Sequence, residues 1–189
     1  MPGFLLEFVK KPFMTGALGP SSDELTKKVI TRARLKDARQ VVELGSGDGV
    51  ITERILSQLS KSASFFALEL NPDFARKTKK RCPGVTVYVD NAANLRKYLK
   101  KYNSISCDRI ISTLPWSAFR KEVQDNILNC IHSSLEKGGI FLTVSYKHSL
   151  LFPMGRRFKK RLSQTFSRVE RTPLVWKNFP PAFVYVCRK

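Results

Sequence analysis

The sequence predicts an α/β protein in which a mostly parallel sheet carries helices on both faces. Short apolar runs alternate with segments of helical spacing from residue 40 to residue 146, the order that builds strand–helix–strand units. The first apolar run also ends in a glycine cluster, Gly45-Ser46-Gly47-Asp48-Gly49, and sheets of this kind bind ligands at the carboxyl ends of their strands. The length of 189 residues, 42% hydrophobic and 26% charged, suits one domain with a single core.

The elements follow in chain order. Ser21-Ser22-Asp23-Glu24 sets Glu three residues after Ser21, a capping box that opens a helix to about residue 35. Residues 40–44 form the first strand, and Ile51, Ile55, Leu56 and Leu59 give residues 50–60 a helical stripe. Strand 64–70 runs into Asn71-Pro72, a turn and helix start, and the helix after it is strongly basic. Strand 85–89 precedes helix 92–101, and strand 109–113 halts at Leu114-Pro115. A long helix over 117–136 closes at Lys137-Gly138-Gly139, before strand 140–146. The chain ends in another strand, 182–187.

Charge and cysteines narrow the function classes. Lys and Arg number 34 against 15 Asp and Glu, a formal charge of +19, so nucleic acid and an anionic membrane surface are both candidate partners. From Tyr146 onward, eleven Lys and Arg face one acid, Glu170, placing +10 of that charge in the final 44 residues. No run of 18 apolar residues spans a membrane. Cys82, Cys107, Cys130 and Cys187 are scattered, with His132 and His148 the only histidines. That pattern predicts reduced thiols in the cytoplasm and no metal site. Residues 1–12 lack a basic stretch ahead of their apolar part and do not read as a signal peptide.

Glu43-Leu44-Gly45-Ser46-Gly47-Asp48-Gly49 lacks the third glycine of a dinucleotide fingerprint, because position 50 is Val50. Its E-x-G-x-G-x-G spacing is that of S-adenosylmethionine sites. Glu69 ends the second strand about 20 residues later, the place for a carboxylate on two ribose hydroxyls. A ligand-free glycine turn with a surface glutamate is the competing reading. Asp90 and Asn91 follow the third strand, as adenine contacts or as a helix cap.

Three stretches carry a resemblance to a known family. They are Phe8-Val9-Lys10-Lys11-Pro12 with Thr15-Gly16-Ala17 and Pro20-Ser21-Ser22; Ser112-Thr113-Leu114-Pro115-Trp116; and Trp176-Lys177-Asn178-Phe179-Pro180-Pro181-Ala182-Phe183-Val184-Tyr185. On these the chain resembles class I S-adenosylmethionine-dependent methyltransferases. Within them it is similar to the bacterial phospholipid N-methyltransferases, relatives of the rRNA adenine dimethyltransferases. The resemblance implies a Rossmann-like, seven-stranded, mostly parallel sheet over residues 21–189, with residues 1–20 as an amphipathic or lid segment. It implies that Ser46, Leu70, Ala92 and Ser112 join the glycines, Glu43, Glu69, Asp90 and Asn91 around the cofactor. It also implies an aminolipid acceptor, phosphatidylethanolamine or a related lipid, and a place at the inner face of the membrane.

The same resemblance separates lipid from RNA. Adenine-modifying relatives carry Asn where this chain has Thr113, so the amide acceptor for a base is missing. RNA adenine methylation remains the alternative. Thr113, the Leu114 carbonyl, Pro115, Trp116 and Tyr146 are the candidate acceptor-side residues. Trp116 reads either as a face for a base or cationic amine or as a core residue after a proline, and Tyr146 either as catalytic or as a rim residue. Phe4, Leu5, Phe8 and Val9 share one helical face, suited to shallow membrane insertion or to burial as an ordinary core stripe. Met154, Phe158, Leu162 and Phe166 recur among Arg156, Arg157, Lys159, Lys160 and Arg161, as a basic amphipathic stretch for a membrane or as an ordinary core stripe.

Overall fold

The computed structural model describes residues 21–189. The apolar face of Phe4, Leu5, Phe8 and Val9 lies outside the described residues. Strands β1 (Gln40–Leu44), β2 (Ser64–Glu69), β3 (Val87–Val89), β4 (Cys107–Ser112), β5 (Leu135–Tyr146), β6 (Arg168–Arg171) and β7 (Ala182–Arg188) form one sheet, ordered β3-β2-β1-β4-β5-β7-β6. The first five run parallel, and β7 lies antiparallel between β5 and β6. This is the seven-stranded, mostly parallel sheet that was expected. Strand order reverses between β1 and β4, which opens a cleft at their carboxyl ends.

Helices α1 (Asp23–Ala33), α2 (Val50–Leu56), α3 (Pro72–Arg81), α4 (Leu95–Leu99), α5 (Lys121–Ser134) and α6 (Pro153–Thr165) cover the sheet. Adjacent strand residues point to opposite faces, and the core divides accordingly. Val42, Phe66, Ile110, Phe141 and Tyr185 pack with α4, α5 and α6. Val41, Ile111, Leu142, Val144 and Val184 pack with α1 and α2 through Leu25, Val29, Ile51 and Ile55. Among the described residues no helix is long and apolar enough to cross a membrane.

Four local expectations change. The cap of α1 is Ser22 rather than Ser21: its side chain accepts the Leu25 N–H at 3.3 Å, and Asp23 and Glu24 complement the helix dipole. The helix predicted over 50–60 stops at Leu56, where the side chain becomes 37% exposed and no longer anchors the stripe. The segment 92–101 divides into a 3-10 turn, α4 and a second 3-10 turn. The long helix over 117–136 is a 3-10 turn at Trp116–Ala118 followed by α5, and β5 already begins at Leu135. Register slips between Cys107 and Arg109, so Lys137-Gly138-Gly139 forms an irregularity within the strand. Strand β6 was not foreseen: Arg168–Arg171 is short and half-polar and has no apolar run to announce it.

The basic stretch after Phe152 is helical, as α6, but its apolar stripe faces the protein. Phe158 and Leu162 are fully buried and Phe166 nearly so, in the same core as Trp116. Gly155 brings this helix close: a Cβ there would stand 1.9 Å from the Ser149 carbonyl oxygen. Arg157 and Arg161 fold back onto Asp125 of α5 at 2.6 and 2.9 Å. Core packing therefore claims the stripe that could have met a membrane.

Candidate functional site

The cleft at the switch point is built from the loops that leave β1, β2, β3 and β4. The loop after β1 holds Gly47 at φ +57, with open space where a Cβ would stand. A side chain there would be strained and would fill the cradle. The loop is fixed from outside. Gly45 N–H donates to the Leu68 carbonyl at 2.7 Å, and the Thr78 hydroxyl of α3 lies 2.9 Å from both Ser46 Oγ and the Gly47 carbonyl. Across the cleft, Thr113 N–H donates to the Leu44 carbonyl at 3.0 Å, and its hydroxyl donates to the Gly45 carbonyl. The acceptor-side segment is thereby stitched to the glycine loop.

Two buried carboxyls face this loop. Glu69 Oε2 accepts the Gly47 N–H at 3.0 Å and Oε1 accepts the Asn71 N–H at 2.9 Å. Burial still raises its pKa, against the N–H groups of Asn71, Gly47 and Leu70. Each Glu69 oxygen keeps a lone pair for a further donor. Glu43 is fully buried; its Oε2 accepts the Thr52 hydroxyl at 2.6 Å while Oε1 has no partner. Burial, with Glu69 and Asp48 nearby and the Thr52 bond opposing, pushes its pKa up to about 8. A cation brought beside such a carboxyl would favour its ionised form, and S-adenosylmethionine carries a sulfonium and an ammonium. The donor set thus fits a cationic nucleoside: carboxyls for the cation and the ribose, and open space at Gly47 for close approach.

Beyond β3, Asp90 is already fully engaged. It accepts Asn91 N–H, Asn94 Nδ2 and Tyr98 Oη, each at 2.7 Å, and Lys97 Nζ at 3.4 Å. Burial would raise its pKa, but these donors hold it down to about 2. Asn91 caps the next turn through its side-chain oxygen, which accepts the Ala93 N–H at 2.9 Å. Ala92 is buried behind it, and Leu70 stands half-buried just past β2. Ser112, fully buried, accepts the Leu114 N–H at 3.2 Å and shapes the turn after β4.

That turn places the acceptor-side residues unequally. Pro115 has φ −79 and ψ 69, an inverse γ-turn closed by Trp116 N–H on the Leu114 carbonyl at 2.9 Å. Trp116 is 3% exposed; its ring stacks on Phe158 with centroids 4.3 Å apart, and its indole N–H donates to Thr143 Oγ1 at 2.8 Å. Of the two readings of Trp116, an open aromatic face or a core residue after a proline, the packing matches the second, because Phe158 covers the ring. Tyr146, at the end of β5, is half-buried and stacks on His148, and burial raises its pKa. Sequence reasoning missed Thr52, Thr78 and Gln124. Gln124 is fully buried and donates to the Trp116 and Met154 carbonyls at 2.7 and 3.1 Å. Among the described residues no cluster suited to a metal ion appears, and all four cysteines are free.

Known proteins are similar to this chain in sequence and in fold. A model of the methyltransferase domain matches residues 41–139. The ornithine lipid N-methyltransferase of Singulisphaera acidiphila is 29% identical over 188 residues, covering 98% of this chain and 94% of that one. The N-methyltransferase NodS from Bradyrhizobium japonicum superposes with a TM-score of 0.67 at 11% identity, over 88% of this chain and 94% of NodS. An rRNA methylase from Streptococcus thermophilus gives 0.62 at 19% identity, over 90% and 98%. NodS is also known bound to S-adenosyl-L-homocysteine, again with the shared fold, at a TM-score of 0.65. The chain belongs to the methyltransferase domain family, as a class I enzyme that uses S-adenosylmethionine.

Proposed function

We propose that the chain transfers methyl groups from S-adenosylmethionine to the amine of an aminolipid headgroup, at the cytoplasmic face of a membrane. The observation that carries this reading is the near full-length match to an ornithine lipid N-methyltransferase. Phosphatidylethanolamine and ornithine lipid both present a primary amine beside an anionic group, which suits a basic protein. The RNA alternative loses ground at Thr113, which lacks the amide acceptor that adenine-modifying relatives carry at that place.

The cofactor supplies an activated methyl group on sulfur. The chain's task is to hold it, orient the acceptor and exclude water. In this reading Glu69 receives the ribose hydroxyls, Gly45, Ser46, Gly47 and Gly49 line its approach, and Glu43 faces the positive charge. Asn91, with Leu70 and Ala92, borders the adenine, while Asp90 holds the turn and Ser112 shapes the acceptor side. The Thr113 hydroxyl and the Leu114 carbonyl retain lone pairs that orient an amine N–H. Tyr146 stays protonated, because burial raises its pKa, and serves as a neutral hydrogen-bond partner rather than a base. An amine like that of lysine is protonated near neutrality, and moving it from water into this half-apolar cleft favours loss of that proton.

The test is methyl transfer by the purified chain from labelled S-adenosylmethionine, with ornithine lipid or phosphatidylethanolamine in mixed micelles and separately with total RNA. Label in a lipid amine supports the reading. Label confined to RNA overturns it.

A further inference from the structure

We infer that the edge formed by Leu151, Phe152, Trp176 and Phe179 is the surface that docks on an anionic lipid bilayer, beside the mouth of the cofactor cleft. The inference rests on the aminolipid reading and gives it a place on the molecule. These side chains are 76%, 53%, 64% and 82% exposed, and an apolar cluster of this kind marks a contact surface. Their position follows from the sheet. Tyr146 of β5 pairs with Ala182 of β7, so the segment after one and the segment before the other leave the same edge. That is the carboxyl edge of the parallel strands, where the loops after β1 and β4 form the cleft.

The aromatic tips are held outward by buried polar anchors. Asn178, 4% exposed between Trp176 and Phe179, accepts the Ser22 N–H at 3.0 Å and donates to the Pro180 carbonyl at 2.7 Å. Lys147 N–H donates to the Pro181 carbonyl at 2.8 Å, and its ammonium lies 4.4 Å from the Trp176 ring centre. Ser149 fastens the other segment, donating to the Tyr146 carbonyl at 2.7 Å. Insertion would therefore order little that is not already ordered.

Charge selects the occupant. Lys147, Arg156, Lys159, Lys160 and Lys177 are exposed on or next to these segments, and no Asp or Glu lies between Glu136 and Glu170 or after it. Apolar tips ringed by cations match anionic headgroups above an apolar interior, and Trp sits well at that boundary. Leu151 offers a nucleobase neither a ring to stack on nor a charge. The helix stripe of Phe158 and Leu162 is spent on the core, so among the described residues this edge carries the insertion.

The chain's two tryptophans make the test direct, since Trp116 is buried and Trp176 is exposed. Full-length protein is mixed with phosphatidylcholine vesicles, with vesicles that also hold phosphatidylglycerol, and with RNA. Anionic vesicles should shift emission to shorter wavelength and allow quenching by brominated acyl chains, and Trp176→Phe should abolish both. The pairs Leu151→Ser with Phe152→Ser, and Trp176→Ser with Phe179→Ser, should weaken vesicle sedimentation about tenfold or more. Circular dichroism and S-adenosylmethionine affinity should not change; if a pair fails to fold, Phe179→Ser alone carries the test. Vesicle binding unchanged by these substitutions overturns the inference. So does quenching by RNA without acyl-chain quenching, or self-association that the substitutions abolish. Methylation of micellar aminolipid should survive in the variants while methylation in vesicles falls. Absence of micellar methylation in the unaltered chain would instead refute the aminolipid reading.

Discussion

The carboxyl edge of the sheet carries two regions of opposite character. Around β1 and β2, Glu43 and Glu69 are buried and short of positive partners. Beyond β5 and β7, cations and apolar tips are exposed, with Glu170 the single acid after Tyr146. A chain of net charge +19 repels a cationic cofactor at long range. Burial places the cradle carboxyls where surface lysines are screened by solvent while the carboxyls themselves are not. On the proposed reading the two charge signs serve two ligands, because depth decides which interaction is strong.

Trp116 joins the regions, and Trp116→Ala is the largest perturbation. It removes a ring enclosed by Phe158, Phe119 and Phe141, and truncations of this kind cost about 3–5 kcal/mol. Chemical denaturation should show that loss, and an unchanged midpoint would contradict the core placement. Gly47→Val strikes the cradle alone. A branched side chain at φ +57, projecting into the open space, should lower cofactor affinity by on the order of a hundredfold, about 3 kcal/mol. Calorimetry measures it, and binding to anionic vesicles should stay the same.

A smaller effect concerns Glu43. Its carboxyl keeps a proton up to about pH 8 in the folded chain, against an ordinary value of 4.5. Between those values the folded state binds more protons than the unfolded state, so cofactor-free stability falls as pH rises. Binding a cation beside Glu43 favours its carboxylate, so affinity should rise as pH climbs from 6 to 8, with proton release. Glu43→Gln should flatten both profiles, seen by titration in buffers of different ionisation heat. The smallest effect is at the rim, where Lys177→Gln should weaken vesicle binding by about 1 kcal/mol at low salt and leave cofactor affinity untouched.

Much of this was legible in the sequence. The β1 loop announced itself because glycines and a strand end are local signals, and Glu69 followed from its distance along the chain. The mostly parallel sheet followed from alternation, and its seven strands from the family resemblance. What stayed hidden depends on contacts across the chain. Nothing near Trp116 says that Phe158 will cover it, and the partners of Glu43 and Gly47, Thr52 and Thr78, stand on helices of unremarkable composition. The α6 stripe reads equally as core or membrane face, because periodicity gives a face but not its partner. Asn178 was visible within the terminal stretch, but its bond to Ser22 spans 156 positions.

The most direct test of this division of labour is the rate of methyl transfer to aminolipid in anionic vesicles as salt rises from 0.1 to 1 M. Screening shortens from about 10 Å to about 3 Å over that range. The rate should fall severalfold while the KM for S-adenosylmethionine holds steady, because the rim is exposed and the cradle is buried. A KM that rises in step with the salt, or a lipid rate indifferent to it, would contradict the account.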